Sequence, residues 1–289
     1  TQKTSVFSSF LNSYEPRPFN ILKEETNGIG IRTRLLQNTT LFKNELNWTI
    51  GIELFNDANS YQTYKNLYNT VASGSELIQG ELLSNFKERR TYFNLFFDSK
   101  YTFSKKTHYT LGLNLNKTSY HLKDNLINNI PNFSGNYSFK TMISPKIGIV
   151  YKNSLSTMLY GSISHGFSPP TLEETLLPDG LINSTIEPES GWNYEIGSRG
   201  QLFKNTVYFD IAIYRMNVKN LLVARRTSND EYMGVNAGKT QYNGLEFTLK
   251  NTFIKTKNIT LFGFHSFAFN DFKFKKFIDD SNDYSNNLL

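Results

Sequence analysis

The chain contains 289 residues and no cysteine, and its 31 basic and 25 acidic residues give a net charge of +6 at pH 7. The lack of cysteine excludes disulfide bonds and thiolate metal sites, and the interspersed charges do not form the concentrated basic element of a nucleic-acid groove. No run of about 18 apolar residues occurs, so a transmembrane helix is excluded. Aromatic residues nevertheless make up 15% of the chain while the mean hydropathy is −0.44, so apolar residues must alternate with polar ones.

This alternation has a period of two, which is typical of half-buried β-strands. It is clearest at residues 46–54, 109–115 and 207–213. In chain order, strands are predicted near residues 5–11, 28–36, 46–54, 90–103, 109–116, 139–151, 155–165, 192–203, 207–214, 237–250 and 259–270. These are about eleven strands, and the sole helical expectation is a turn or two within residues 71–84.

The predicted connections alternate between short and long. Short polar turns are expected at residues 38–44, 104–107, 152–154, 204–206 and 255–258, and long loops at 12–27, 56–87, 121–138, 166–191, 219–236 and 271–289. If consecutive strands are antiparallel neighbours, all the short turns lie at one end of the sheet and all the long loops at the other. That arrangement is typical of bacterial outer-membrane barrels, in which periplasmic turns are short and extracellular loops long.

The polarity of the two faces of the sheet then predicts which face contacts lipid and which contacts water. A membrane barrel turns its apolar face toward lipid and its polar face toward the lumen. The polar residues expected on the luminal face are Asn94, Asp98, Lys100, Ser144, Lys146, Asn193, Glu195, Arg199, Asp210, Glu246 and Lys250. The aromatic residues expected in the interfacial girdles are Tyr101, Phe103, Tyr109, Tyr151, Trp192 and Phe253.

Three sequence segments carry a family resemblance. They are HGFSPPTLEE at 165–174, IEPESGWNYEIG at 186–197 and NAGKTQYNGLEF at 236–247. They resemble, in the same order, the segments GFRAPSLxE, LxPExSxxYEIG and NAGxxxxxGxE of TonB-dependent outer-membrane receptors. The resemblance covers most of residues 88–270.

The resemblance implies an outer-membrane transporter of a Gram-negative bacterium, driven by a TonB-type coupling protein, for a scarce nutrient such as an iron chelate. Haem receptors of the family carry a histidine in the first of these loops, and residues 168–189 contain none, so a ferric siderophore is the expected ligand. Such barrels have 22 strands and a plugged lumen. We therefore expect an all-β fold, an antiparallel up-and-down segment of a transmembrane β-barrel, with residues 1–289 forming about half of a single barrel domain and with the plug, coupling box and remaining strands elsewhere.

No pattern in the sequence indicates an enzyme, a cofactor or a metal site. The carboxylates Glu173, Glu174, Glu187 and Glu189 are neighbours in a Pro-rich loop, which supplies neither the fixed geometry nor the shifted pKa that acid–base catalysis needs. They are expected to be solvated. The four histidines, at positions 108, 121, 165 and 265, lack metal-ligand spacing.

Ligand capture is instead expected from aromatic and cationic residues of the long loops, because ring faces and guanidinium groups suit anionic ferric chelates. The candidate loop residues are Tyr61, Tyr64, Tyr68, Arg225, Arg226 and Tyr232, with Glu195 and Arg199 behind them in the lumen. Other expected partners are outer-membrane lipid, lipopolysaccharide, the plug and the rest of the barrel, but not nucleic acid. A passive porin and a secreted β-sandwich adhesin or lectin remain alternatives.

Overall fold

The structure is a computed structural model. It describes residues 1–17, 20–67, 77–126, 132–171, 174, 183, 185–204, 206–226, 232–236, 238–279 and 282–289. Within these ranges no helix has the length and apolar character that a membrane crossing requires.

The described chain consists almost entirely of β-strands. They are β1 (Gln2–Pro16), β2 (Asn20–Leu41), β3 (Asn44–Asn66), β4 (Gln79–Thr102), β5 (Thr107–Asp124), β6 (Gly135–Ser138), β7 (Met142–Lys152), β8 (Thr157–Ser168), β9 (Glu189–Leu202), β10 (Val207–Lys219), β11 (Leu222–Arg226), β12 (Tyr232–Asn236), β13 (Lys239–Lys255), β14 (Thr260–Lys276), β15 (Ile278–Asp279) and β16 (Asn282–Asp283). All the predicted strands are confirmed. The short strands β6, β11, β12, β15 and β16 were not predicted, and they lie in the long connections.

A single twelve-stranded antiparallel sheet contains the predicted strands. Its order is β1-β2-β3-β4-β5-β7-β8-β9-β10-β13-β14, and β6 adds to the upper part of β5. Each strand therefore pairs with the next long strand of the chain, as an up-and-down meander requires. In the described ranges the path starts at β1 and finishes at β14, so the sheet is an open arc.

The short turns lie together at one end of the sheet, as predicted. The tightest is the two-residue turn between β2 and β3, in which Phe42 and Lys43 have φ of 50° and 67°. Positive φ at both central positions is the type I′ geometry, whose twist matches that of the flanking strands. Phe203 and Lys204 have φ of 51° and 55° between β9 and β10. The tight end is thus fixed by backbone geometry.

The opposite end differs from the prediction in two places. Residues 12–27 were expected to form a long loop, but β1 and β2 pair continuously from Gln2–Leu35 to Pro16–Ile21. The expected loop at 56–87 is also mostly strand, because β3 extends to Asn66 and β4 begins at Gln79. The helical turn predicted within residues 71–84 is wrong for 79–84, which belong to β4, and residues 71–76 lie outside the described part.

The two faces of the sheet have opposite chemistry. Cross-strand partners share a face, and the pairs Leu111–Ile147, Ile147–Ile163 and Ile196–Ile213 place aliphatic side chains on one of them. These side chains remain exposed, with Ile147 at 54% and Ile196 at 65%. No second sheet in the described part of the chain covers this aliphatic face, and an uncovered aliphatic face is typical of the lipid-facing surface of a membrane barrel.

The polar face agrees with the sequence prediction. The register links Asp98, Gly112, Lys146, Ser164 and Asn193 as successive partners across five strands. Every residue predicted to be luminal lies on this same face, which is opposite to the aliphatic one. The lumen is therefore lined by charged and amide side chains.

The predicted girdle residues lie on the lipid-facing side. Tyr101 pairs with Tyr109 near the tight turns, and the ring of Phe103 meets that of Tyr109 edge-on at 5.8 Å. Trp192 lies toward the opposite end of the same face, where it pairs with His165. Aromatic residues therefore occur near both ends of the aliphatic band, where the membrane interfaces of a barrel lie.

The face assignment predicts opposite labelling of two adjacent residues in β8. Because the chain lacks cysteine, Ser162→Cys and Ile163→Cys each introduce a single thiol. In a bilayer we expect a water-soluble maleimide to modify Cys at 162, which faces the lumen, at least tenfold faster than Cys at 163, which faces hydrocarbon. A lipid-soluble maleimide should reverse the order, and equal rates with both reagents would contradict the assignment.

Candidate ligand-binding site

An aromatic cluster lies on the luminal face at the loop end of the sheet. We call it the mouth cluster, and it consists of Tyr61, Phe86, Tyr120, Leu122, Phe133, Tyr137 and Phe139. Tyr61 and Phe86 are cross-strand partners with ring centroids 5.2 Å apart. Tyr137 meets Phe139 edge-on at 4.7 Å. The long upper parts of β3, β4 and β5 carry this cluster beyond the aliphatic band.

Only part of the mouth cluster is accessible. Phe86, Tyr120 and Phe139 are buried, and they form its base. Tyr61, Phe133 and Tyr137 are partly exposed and pack against that base. Rings held in this way present fixed faces to a ligand at low entropic cost, because their rotamers are already set by packing.

Two phenols of the mouth cluster hold the loop that follows β8. The Tyr120 hydroxyl donates to the Pro170 carbonyl at 2.8 Å, and the Tyr137 hydroxyl donates to the Ile186 carbonyl. Burial raises the pKa of Tyr120 and of Tyr137. Both phenols therefore keep their protons, and their role as donors, at neutral pH.

Below the mouth cluster the luminal wall carries paired charges. The Arg90 guanidinium forms an ion pair with Asp57 in the neighbouring strand, with Nε 3.3 Å from Oδ1. Nearer the tight turns, Glu53 pairs with Arg32 and accepts a hydrogen bond from the Tyr92 hydroxyl at 2.9 Å. Sequence reasoning missed these residues, although Arg90 and Tyr92 share the strand parity of the predicted luminal Asn94.

The structure separates two of the predicted ligand-binding tyrosines. Tyr61 belongs to the luminal mouth cluster. Tyr64 lies on the outward face, where the Lys23 ammonium is 4.8 Å from its ring centroid and its hydroxyl donates to Gln62 at 3.0 Å. Tyr68 lies outside the described residues.

The other predicted residues occupy two further places. Glu195 and Arg199 face the lumen from β9, where Arg199 lies 5.5 Å from the Tyr160 ring and pairs across strands with Asp210. Arg225 and Arg226 lie in β11 and Tyr232 in β12, and Arg226 is the backbone partner of Tyr232 in this hairpin. The side chains of Arg226 and Tyr232 are outside the described part of the chain.

The three motif segments meet at the loop end of the sheet. Asn236 Nδ2 donates to the carbonyls of Glu187 and Asn220, both at 2.9 Å, and its Oδ1 accepts from the Glu187 amide at 2.9 Å. Asn220 Nδ2 donates to Glu187 Oε2 at 2.8 Å. We call Glu187, Asn220 and Asn236 the loop clasp. It fastens the chain entering β9 to both ends of the connection between β10 and β13, which contains β11 and β12.

Gly238 completes this arrangement. Its φ is +58°, and a Cβ there would lie 1.9 Å from the Lys276 carbonyl oxygen, so no other residue fits without movement of the backbone. Its carbonyl accepts the Asn220 amide at 2.8 Å. The asparagine and glycine of the third motif therefore have structural roles.

The carboxylates of the motif loops bind backbone groups. Glu174 Oε2 accepts from the Thr171 amide at 2.7 Å, and the Thr171 hydroxyl accepts in return from the Glu174 amide at 3.4 Å, which is the capping-box pattern. Glu189 Oε1 accepts from the Leu222 amide at 2.6 Å. Glu174 and Glu187 are nevertheless exposed and Glu189 is half-buried, so these carboxylates remain in contact with solvent while they hold the loop backbone. Among the described residues, no group of three or more histidine, aspartate or glutamate side chains is arranged to hold a metal ion.

Together the geometry defines a segment of a membrane β-barrel receptor: an aliphatic exterior, a charged lumen and an aromatic mouth tied to long loops. The family model of the TonB-dependent receptor-like β-barrel matches residues 2–289. The chain therefore belongs to this family. No match was found among curated proteins.

Solved structures share the fold at low sequence identity. The ferric citrate transporter FecA, in its unliganded form, superposes with a TM-score of 0.74 at 16% identity, over 99% of this chain and 41% of that one. The siderophore receptor PiuA from Acinetobacter baumannii gives 0.73 at 14%, over 99% and 47%. The alcaligin outer-membrane receptor FauA from Bordetella pertussis gives 0.68 at 12%, over 100% and 44%. The chain thus spans less than half the length of these structures.

The Arg90–Asp57 pair should stabilise the upper sheet measurably. Arg90→Met leaves the Asp57 carboxylate, whose side chain is 13% exposed, without its charged partner, so we expect the free energy of unfolding to fall by about 1–3 kcal/mol. Urea titration of the barrel in a bilayer measures this change. In a double-mutant cycle with Asp57→Asn, a coupling energy near zero would contradict the interaction.

The loop clasp predicts a coupled opening of two loops. Asn236→Ala removes three hydrogen bonds, so we expect faster amide exchange both at residues 186–189 and at residues 220–223, with unchanged exchange in β5. Asn243→Ala is the matched control, because it removes an asparagine from the next strand, β13, outside the loop clasp. Faster exchange at only one of the two segments would show that Asn236 does not link them.

Proposed function

We propose that the chain is the barrel segment of an outer-membrane receptor that takes up a ferric siderophore or a similar iron chelate, with energy from a TonB-type coupling protein. The observation that carries the proposal is the mouth cluster, a set of partly exposed aromatic rings above a charged lumen in a barrel of the TonB-dependent family. Chelates of this kind present anionic oxygens, and some also carry flat rings. Aromatic faces and arginine side chains suit both features.

The relatives support the same ligand class. They are a ferric citrate transporter, a siderophore receptor and an alcaligin receptor. The family membership favours a gated receptor over a passive porin. The sandwich alternative is not supported, because the aliphatic face is exposed and the main strands form a single sheet.

We further propose that residues 1–289 are part of one barrel domain that additional strands complete. Among the described strands the sheet path runs from β1 to β14 without joining, and unpaired edges invite aggregation. A barrel of this family has about 22 strands around a plug, and the chain covers 41% of FecA. A plug and a coupling segment would supply the contact with the energy-transducing protein.

The mouth cluster predicts a contrast between Tyr61 and Tyr64. In cells that express the assembled receptor, Tyr61→Ala should weaken ferric-chelate binding about tenfold, since a buried ring contact is worth roughly 1.4 kcal/mol. Tyr64→Ala is the matched control, because Tyr64 lies three residues away on the outward face. Fluorescence quenching with a panel of ferric siderophores, followed by growth under iron limitation, provides the measurement.

Comparison of the two variants also shows whether the ligand binds on the luminal face or on the outward face. Equal loss in both would indicate a general folding defect, which heat-modifiable gel migration detects separately. Loss in Tyr64→Ala alone would place the ligand outside the lumen and overturn the proposal. Failure of the unmodified receptor to bind any ferric chelate would refute the proposed ligand class.

A further inference from the structure

A group of basic side chains on the outward face of β4 and β5 is not used by the function proposed above, except that Lys117 Nζ donates to the Phe139 carbonyl of the mouth cluster. It consists of Lys87, Arg89, Lys117, His121 and Lys123, which we call the outward basic patch. All five side chains are exposed. Their strand positions have the same parity as the outward apolar residues Phe93, Leu95, Leu113 and Leu115, so the patch faces away from the lumen.

The register brings two like charges directly opposite each other, because Lys87 is the cross-strand partner of Lys123. Beside them Arg89 faces the imidazole of His121. Like charges at facing positions destabilise a sheet, since their side chains are only about 5 Å apart. Among the described residues, no carboxylate forms an ion pair with Lys87, Arg89 or Lys123. The repulsion within the patch is therefore uncompensated by the sheet itself.

The nearest acidic residues do not neutralise the patch. Glu88 and Asp124 are chain neighbours of its members but lie on the luminal face, because adjacent residues of a strand point to opposite sides. Glu25 shares the outward face, but Ser60 of β3 separates it from Lys87 in the register. Two strand spacings of about 4.8 Å lie between them.

The height of the patch fits a membrane interface. On β5 the outward residues are Tyr109, Leu111, Leu113 and Leu115, followed by Lys117. Eight residues from Tyr109 to Lys117 span about 27 Å along the strand, or roughly 21 Å of height at the usual tilt, which is close to the apolar band of a barrel. Lys117 thus marks the upper rim of the hydrocarbon layer, and the other basic residues lie just above it.

We propose that the outward basic patch binds the phosphorylated headgroup of an outer-leaflet glycolipid whose acyl chains cover the aliphatic band below. An anion there would offset the repulsion between Lys87 and Lys123, and Arg89 offers a planar fork that suits phosphate. The continuity of basic patch and aliphatic band favours a lipid over a soluble phosphate. The site rests on the proposed outer-membrane location but not on the proposed iron-chelate ligand.

The test uses the assembled receptor in phosphatidylcholine nanodiscs and bisphosphorylated lipid A as the probe. The triple variant Lys87→Gln, Arg89→Gln, Lys123→Gln should bind lipid A at least tenfold more weakly than the unmodified receptor. The control variant Lys43→Gln, Lys105→Gln, Lys106→Gln removes the same charge from the tight-turn end and should bind normally. Dephosphorylated lipid A should bind the unmodified receptor as weakly as the triple variant binds lipid A.

The melting temperature provides a second readout, in which the triple variant should gain stability although it loses lipid A binding. Without lipid A, the triple variant should melt at a higher temperature than the unmodified receptor, because it has lost the repulsion. With lipid A, the unmodified receptor should show the larger rise in melting temperature. A purely structural role of these residues would lower stability in both conditions.

Several results would overturn the proposal. The patch would not recognise phosphate if the triple variant bound lipid A as tightly as the unmodified receptor does. The same would follow if the unmodified receptor bound dephosphorylated lipid A as tightly as lipid A. Inorganic pyrophosphate that binds as tightly as lipid A would assign the patch to a soluble anion. Ferric-chelate binding is measured on the same samples, so lipid binding without chelate binding would refute only the proposed function, and the reverse would refute only the lipid site.

Discussion

Antiparallel pairing in one fixed register is the constraint on which the rest of this structure depends. β2 and β3 pair without interruption from Asn20–Lys65 to Leu41–Asn44, and a slip of one residue would move every side chain to the opposite face. Hydrocarbon on one side and water on the other make such a slip costly, because it would bury charges and expose aliphatic residues together. The lipid band, the charged lumen and the mouth cluster all follow from this register.

Local alternation was sufficient to predict the membrane-facing part of the fold. In β5 the leucines at 111, 113 and 115 alternate with Gly112 and Asn114, and the two solvents sort them as the sequence indicates. The prediction failed where both faces meet water. Residues 12–27 and 56–66 are polar on either side, so their alternation disappears although the strands continue.

The candidate site was less predictable because it depends on pairs far apart in the chain. Tyr61 meets Phe86 from a neighbouring strand, and Tyr120 reaches Pro170 across fifty residues. To predict that Tyr61 and not Tyr64 faces the lumen, one must know which residues of the upper part of β3 face inward. No local sequence pattern reveals this. The motif residues Glu187, Asn236 and Gly238 signalled the family, but their hydrogen bonds to each other emerge only when the strands are placed side by side.

The loop clasp has a consequence for how such a receptor can diversify. Glu187, Asn220 and Asn236 fasten the bases of two connections with amide and carboxylate hydrogen bonds, so the sequence between these anchors bears little of the load of holding the strands. Insertions and replacements between these anchors leave the strands of the barrel in place. Evolution can replace the tips of the loops, and with them the molecules that they recognise, while the strands of the barrel keep their arrangement.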